Sequence, residues 1–218
     1  MNGYLQKTEN VRKYAFIFMW AVILFSALRT IGGIIKVFVL GKYDSQIEIE
    51  FIESIDAILI SLVGLFNMPW FLMLLLFLVT YSMWIYQAYA NLVRKNVSGL
   101  KRSPAWAVGW SFMPLAQFFM PYVVMKEIWL ATFFAEEQSE DWKRNTTPNI
   151  FIVWWVTFII GWLTWLDLFQ FGGTVSSFKI DAWLTVISGI CFVISGLVLQ
   201  KVMKQITNEQ SNRFQEAA

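Results

Sequence analysis

Histidine is absent from this chain, and cysteine occurs once, as Cys191. The first absence removes the commonest general base, metal ligand and haem ligand together. A single cysteine forms no intramolecular disulfide and no thiolate cluster, and its ordinary place is as a small apolar packing residue. No metal site and no cofactor are therefore expected. With no nucleophile–base pair in view, the chain reads as non-enzymatic. Charge is scarce as well: 15% of the residues are Asp, Glu, Lys or Arg, against about 25% in an ordinary soluble domain. A formal net charge of +2 gives no reason to expect a nucleic-acid partner.

In their place stand apolar side chains. Hydrophobic residues make up 57% of the 218, aromatic residues 18%, and the mean hydropathy is +0.54. They gather in several long runs, which excludes a soluble domain carrying an anchor. A bilayer core takes about 20 apolar residues per helix. The runs predict an all-α membrane protein, one integral membrane domain over 1–218, with transmembrane helices at about 14–40, 69–94, 150–171 and 182–203. The first run follows Arg12 and Lys13 but continues past Gly32 and Gly33 without a small-x-small cleavage site, so it is read as a retained span.

Between the first two spans, Glu48, Glu50, Glu53 and Asp56 alternate with isoleucines, and an apolar stretch follows that is too short to cross. One polar and one apolar side predict an interfacial helix at about 46–66. Continuing from Ile55 to Leu92 as one helix would give roughly 57 Å, so a break near Asn67 is expected, with Asn67 as cap and Pro69 in the first turn. Gly172-Gly173 and Ser176-Ser177 are expected to make the last turn, and the polar tail 204–218 to extend the last helix or fray.

The third apolar stretch, 103–134, is different. Pro114 and Pro121 lie inside it, and each removes a backbone donor and disfavours helix in the residue before it. Broken backbone is tolerated in lipid only where protein or water covers it. The segment is a kinked fifth span or a re-entrant or in-plane inner segment, and the basic residues choose between these. With five spans, eight Lys and Arg fall inside and seven outside. With four, thirteen fall inside and only Lys42 and Lys179 outside. The positive-inside rule favours four spans, both termini cytoplasmic and the helix at 46–66 outside. Asn96-Val97-Ser98 and Asn145-Thr146-Thr147 match the glycosylation pattern but fall on the inner side.

The broken segment also carries a pattern. Trp84, Asn91 and Leu92 close the second span; Ser103-Pro104, Trp106-Ala107, Gly109-Trp110, Pro114, Pro121-Tyr122, Met125, Glu127 and Trp129 follow. Over about Met83–Thr132 this resembles a family of bacterial multi-pass membrane proteins known as domain of unknown function 4328. The resemblance implies the bacterial inner membrane and brings no activity, substrate or cofactor. Physically, the motif is read as an aromatic wedge locked by prolines, closed by a Lys126–Glu127 pair. Its rival is a broken helix whose freed backbone groups line a polar site, as in transporters.

Arg29 and Asp167 are the charges deepest in the spans. At 1.5 Å per residue each sits roughly 22–26 Å from the inner end of its helix. An intramembrane charge costs at least about 2.5 kcal/mol unless paired or hydrated, so a salt bridge between them is expected, with a charged path as the alternative. On the last span Thr185, Gly189 and Gly196 share a face suited to close helix approach. The function expected is a membrane interaction or accessory module, with a second copy or another membrane protein as partner. A small transporter or channel is the first alternative and a lipid-modifying enzyme the second.

Overall fold

The structure, a computed structural model, describes residues 3–136, 139–166 and 173–216. Seven α-helices occur among them: α1 (Gly3–Leu40), α2 (Ser54–Gly64), α3 (Asn67–Arg94), α4 (Pro104–Gly109), α5 (Met120–Phe134), α6 (Ile150–Trp165) and α7 (Val175–Glu216). No strand occurs among the described residues, only an isolated bridge between Glu48 and Thr174. Three helical stretches are long and apolar enough to cross a membrane: Gly3–Leu40, Ser54–Arg94 and Val175–Phe214. The shorter α6 is also apolar throughout, and the remainder of the expected third span, 167–171, lies outside the described residues.

The helices end where backbone chemistry allows. At the end of α3, Val97 N–H donates to Leu92 O at 3.2 Å and Asn96 N–H to Val93 O at 3.0 Å. Asn96 takes φ 52°, the left-handed cap that satisfies the last carbonyls of a helix. Ser103 caps α4 by accepting from Trp106 N–H at 3.3 Å, with Pro104 in the first turn. Pro121 likewise opens α5. Both prolines thus sit where a missing N–H costs nothing. The break itself spans Met113–Phe119, where Pro114 separates two short 3-10 turns, Trp110–Phe112 and Ala116–Phe118.

Three expectations are corrected. The helix expected over 46–66 is α2 alone, because Ile49 N–H and Ile47 O bond Gly173 O and Val175 N–H, at 2.7 and 2.8 Å, and hold that stretch extended. Asn67 is the first residue of α3 rather than its cap, and its side chain turns to Arg29. Ser176 and Ser177 belong to the first turn of α7 rather than to the turn before it; the tail takes the first of its two expected courses and extends that helix to Glu216. Gly172 lies outside the described residues.

The chain forms two compact units. The first comprises Met1–Phe18, Leu76–Trp155 and Val198–Ala218; the second comprises Met19–Leu75 and Val156–Leu197. In the first, α7 buries Leu199, Val202, Met203, Ile206, Thr207, Gln210 and Phe214, a stripe at three- and four-residue spacing. Nearly all of α5 from Val124 to Thr132 is covered, on every side of the helix.

In the second unit α7 buries Ala182, Val186 and Phe192 and also turns an apolar face outward. Trp183, Ile187, Ile190, Ile194 and Leu197 form an exposed apolar stripe, while Ser188 and Ser195 are buried. An exposed apolar face of this extent suits a hydrocarbon surround rather than water. Opposite it the backbones close up: a Cβ on Gly189 would fall 2.1 Å from Thr30 Oγ1 and 2.8 Å from Ser26 O of α1. Gly189 and Gly196 therefore serve packing within the chain, since only a missing side chain lets the helices approach so far.

Candidate functional site

In the first unit, the motif residues Trp84 and Asn91 face inward from α3 and are fully buried. The Asn91 amide nitrogen donates to Thr8 Oγ1 at 2.9 Å and to Gln210 Oε1 at 3.0 Å. Its carbonyl oxygen accepts from Arg94 Nη1 at 3.1 Å. Gln210 in turn donates to Ala88 O and Thr132 Oγ1, both at 3.1 Å. Each amide donor and acceptor here has a partner, and one asparagine and one glutamine join α1, α3, α5 and α7. A buried network in which every member is satisfied fixes one arrangement of its helices; a half-satisfied one would cost more than an apolar core. Trp84 Nε1 adds a bond to Thr207 Oγ1 at 3.0 Å.

Glu127, on α5, is the second centre. Its carboxylate accepts from Lys101 N–H at 2.7 Å and Tyr89 OH at 3.2 Å, and pairs with the Arg102 guanidinium. Arg102 N–H donates back to Tyr89 OH at 2.9 Å. Glu127 thus pins the loop before α4 to α3 and α5. The expected Lys126–Glu127 pair is not formed: Lys126 is exposed, because adjacent helical residues point to different sides. Trp129 stacks on Phe133 at 4.2 Å and meets Phe151 edge-on at 5.2 Å.

The rest of the motif lies in the broken segment. Trp106 and Trp110 contact each other at 5.4 Å, and Tyr122 reaches Trp155 at 6.4 Å. Pro114 is exposed, with its carbonyl accepting from Gln117 at 3.1 Å. Around the break Phe112, Leu115 and Phe119 are exposed, Leu115 by 81%. Pro104 and Pro121 set helix starts.

In the second unit, Arg29 of α1 is only 5% exposed. Its Nε donates to Asn67 Oδ1 at 2.7 Å, and the guanidinium lies 4.4 Å from the centre of the Trp70 ring. Trp70 is itself held by Ser26, its Nε1 donating to the hydroxyl at 2.8 Å. Arg29 Nη1 is buried with no hydrogen-bond partner among the described residues. Asp167, its expected partner, lies outside the described residues. A cavity of about 330 Å³ is lined by Arg29, Lys36, Val63, Asn67, Thr164, Trp165, Phe178, Asp181 and Thr185. Within it Lys36 and Asp181 pair at 3.4 Å. Nearer the chain's turns, Asp56 of α2 accepts from Tyr43 OH at 2.8 Å and from Lys42 at 3.1 Å. These two bonds, Tyr43 first, hold the Asp56 carboxyl below its usual range.

Thr8, Thr132, Thr207 and Gln210 escape a reading of the sequence because each is an ordinary polar residue outside the motif. The one available signal is periodic: Gln210 falls on the same three-and-four spacing as Leu199, Val202 and Ile206, a polar residue on an apolar stripe.

Apolar helices of crossing length, an outward apolar face and buried polar groups bonded to one another define a helical protein of the membrane-embedded class. The family described as Domain of unknown function (DUF4328) matches residues 57–208, more than two thirds of the chain, and the chain belongs to that family. No curated protein and no solved structure matches it. The matched stretch contains Asn91 and Glu127 but not Thr8, Arg29 or Gln210.

Proposed function

We propose that the chain is a non-enzymatic interaction or accessory module of the bacterial inner membrane, and that its motif builds a scaffold rather than performing chemistry. One observation carries the reading: Asn91 and Glu127, the motif's polar side chains, are engaged inside the fold by Thr8, Gln210, Arg94, Arg102, Lys101 and Tyr89. A residue that handles a substrate keeps a polar atom available for it. Tyr89→Phe tests this, since it removes the hydroxyl that bridges Arg102 N–H and Glu127. A scaffold role lowers the melting temperature in detergent, and an unchanged melt would return Glu127 to the chemical reading.

Four passes on α1, α3, α6 and α7, with both termini cytoplasmic, accompany this proposal. The thirteen basic residues of the four-span count all belong to the first unit; Arg29, Lys36, Lys42 and Lys179 make up the second unit's share. The backbone of 103–134 is interrupted at Met113–Phe119, and broken backbone is tolerated in lipid only where protein or water covers it. With Phe112, Leu115 and Phe119 exposed at the break, an in-plane or re-entrant segment suits 103–134 better than a fifth pass. Lipid surrounds the apolar faces, and a second copy or another membrane protein is the partner such a module serves. A periplasm-active reporter fused after Ala218 should stay inactive; an active one overturns the four-pass arrangement.

A small transporter is the second reading, favoured by one observation: the charged cavity of the second unit, where a buried guanidinium nitrogen lacks a partner.

A further inference from the structure

Most buried charges in this chain have a counter-ion: Glu127 has Arg102, Asp56 has Lys42, and Lys36 has Asp181. Arg29 does not. Its Nε bonds a neutral amide oxygen and its face rests on an indole, so both contacts hold the group in place without neutralising it. The unpartnered Nη1 belongs to a side chain lining a cavity of about 330 Å³, a volume within the range of small-molecule sites. An arginine fixed through Nε and the ring face, with a buried terminal nitrogen left unbonded, has hydrogen-bonding capacity for an oxyanion.

The charge balance of the cavity limits the ligand. Lys36 and Asp181 cancel, so among the described residues the lining carries one net positive charge, on Arg29. A singly charged anion neutralises it, whereas a doubly charged one leaves an excess negative charge in a site walled by Val63, Phe178 and Trp165. Those three apolar side chains give a hydrocarbon body a surface to rest on, and the Thr185 hydroxyl is a further polar group of the lining, while the Thr164 hydroxyl is already given to Ile160 O at 2.7 Å.

We propose that this cavity binds the monoanionic head group of an amphiphile, seated on Arg29. The site does not depend on the scaffold role of the motif, which lies in the other unit. Two sources share this chemistry, a free carboxylate on an aliphatic chain and the phosphodiester of an anionic membrane lipid, and the experiment separates them.

Purified protein in phosphatidylcholine nanodiscs is titrated with octanoate, with octanol as the uncharged control, and binding is read as a rise in melting temperature. Octanoate should stabilise and octanol should not. Arg29→Gln should weaken octanoate by about thirtyfold or more, the cost of losing one partner of a buried charge pair. Asp181→Asn acts in the opposite sense, freeing Lys36 and tightening binding by about tenfold, so the proposal stays open to refutation even if Arg29→Gln folds poorly. Stabilisation by phosphatidylglycerol nanodiscs that depends on Arg29 and leaves octanoate without effect identifies the lipid phosphodiester as the source. Equal effects of octanol and octanoate, or octanoate binding indifferent to Arg29 and Asp181, overturn the proposal. So does binding that appears only in Asp167→Asn, which would mean that the chain neutralises Arg29 itself.

Discussion

The two units solve one problem, how to bury polar groups, in opposite ways. The first contains thirteen basic and eight acidic residues and joins its helices through Asn91, Gln210 and Glu127, each bonded from several sides. The second contains four basic and seven acidic residues, brings its helices together over Gly189 and Gly196, and leaves a buried guanidinium nitrogen unbonded on a side chain that lines a cavity. A satisfied network resists change because removing any member strands its neighbours. A close backbone contact resists bulk but tolerates a polar change nearby. The comparison separates a region built for rigidity from one with capacity to receive a ligand.

The largest effect should come from the charged groups. Glu127→Gln leaves Arg102 without its counter-ion and weakens the bond to Lys101 N–H. Losing one partner of a buried pair costs about 3–5 kcal/mol, and Arg102 retains some access to water, so a loss of about 2–3 kcal/mol is expected in a detergent melt. Arg29→Gln should behave oppositely. With no ion-pair partner among the described residues to strand, it removes an unpaired charge, and stability should hold or rise by about 1–2 kcal/mol. Equal losses from both variants would erase the distinction between the units.

Bulk at the helix contact comes next. Gly189→Val drives a side chain against Thr30 and the Ser26 carbonyl, and overpacking of this kind costs about 1–3 kcal/mol. Hydrogen exchange should quicken in 19–40 and 175–197 and stay unchanged in 84–94. Faster exchange in all three segments would mean that the units open together.

How much of this was legible in the sequence follows from range. The helices, the break near Asn67 and the proline-broken segment are local properties, readable from apolar runs and from Pro114 and Pro121. Asn91 was legible as part of a motif, though not the face it turns. Its partners were not, because Thr8 and Gln210 stand 83 and 119 residues away, and nothing local marks a pairing at that distance. Arg29 was legible as an anomaly, a charge in an apolar run; its hold on Asn67 and Trp70 depends on how α1 packs against α3. The acidic stretch 48–56 misled because alternation of Glu and Ile looks amphipathic, while the backbone there bonds residues 173–175.

Asn91→Ala should cost about 2 kcal/mol. It strands the Gln210 carbonyl in a buried setting, at about 1–3 kcal/mol for an unsatisfied group, while the Thr8 hydroxyl still donates to Tyr4 O at 3.0 Å and the exposed Arg94 finds water. Gln210→Leu should lose a similar amount. If the two belong to one network, the double variant loses less than the sum of the singles, and strict additivity would separate them.

The smallest effect is electrostatic and belongs to the second unit. Hydrogen bonds from Tyr43 and Lys42 depress the Asp56 carboxyl, and the bond to Asp56 raises the Lys42 ammonium. A depressed acid contributes stability above its unfolded value, about 3.9, and loses it as pH falls through the lower folded value. A raised base contributes below its unfolded value, about 10.4, and loses it as pH rises through the higher folded value. The clasp that ties α2 to the end of α1 should therefore hold across neutral pH and weaken only below about pH 4 and above about pH 10. Melts of the parent and Asp56→Asn should differ by a small constant amount between pH 5 and 9 and converge toward pH 3. A difference that persists undiminished at pH 3 would mean that Asp56 acts through packing and not through its charge.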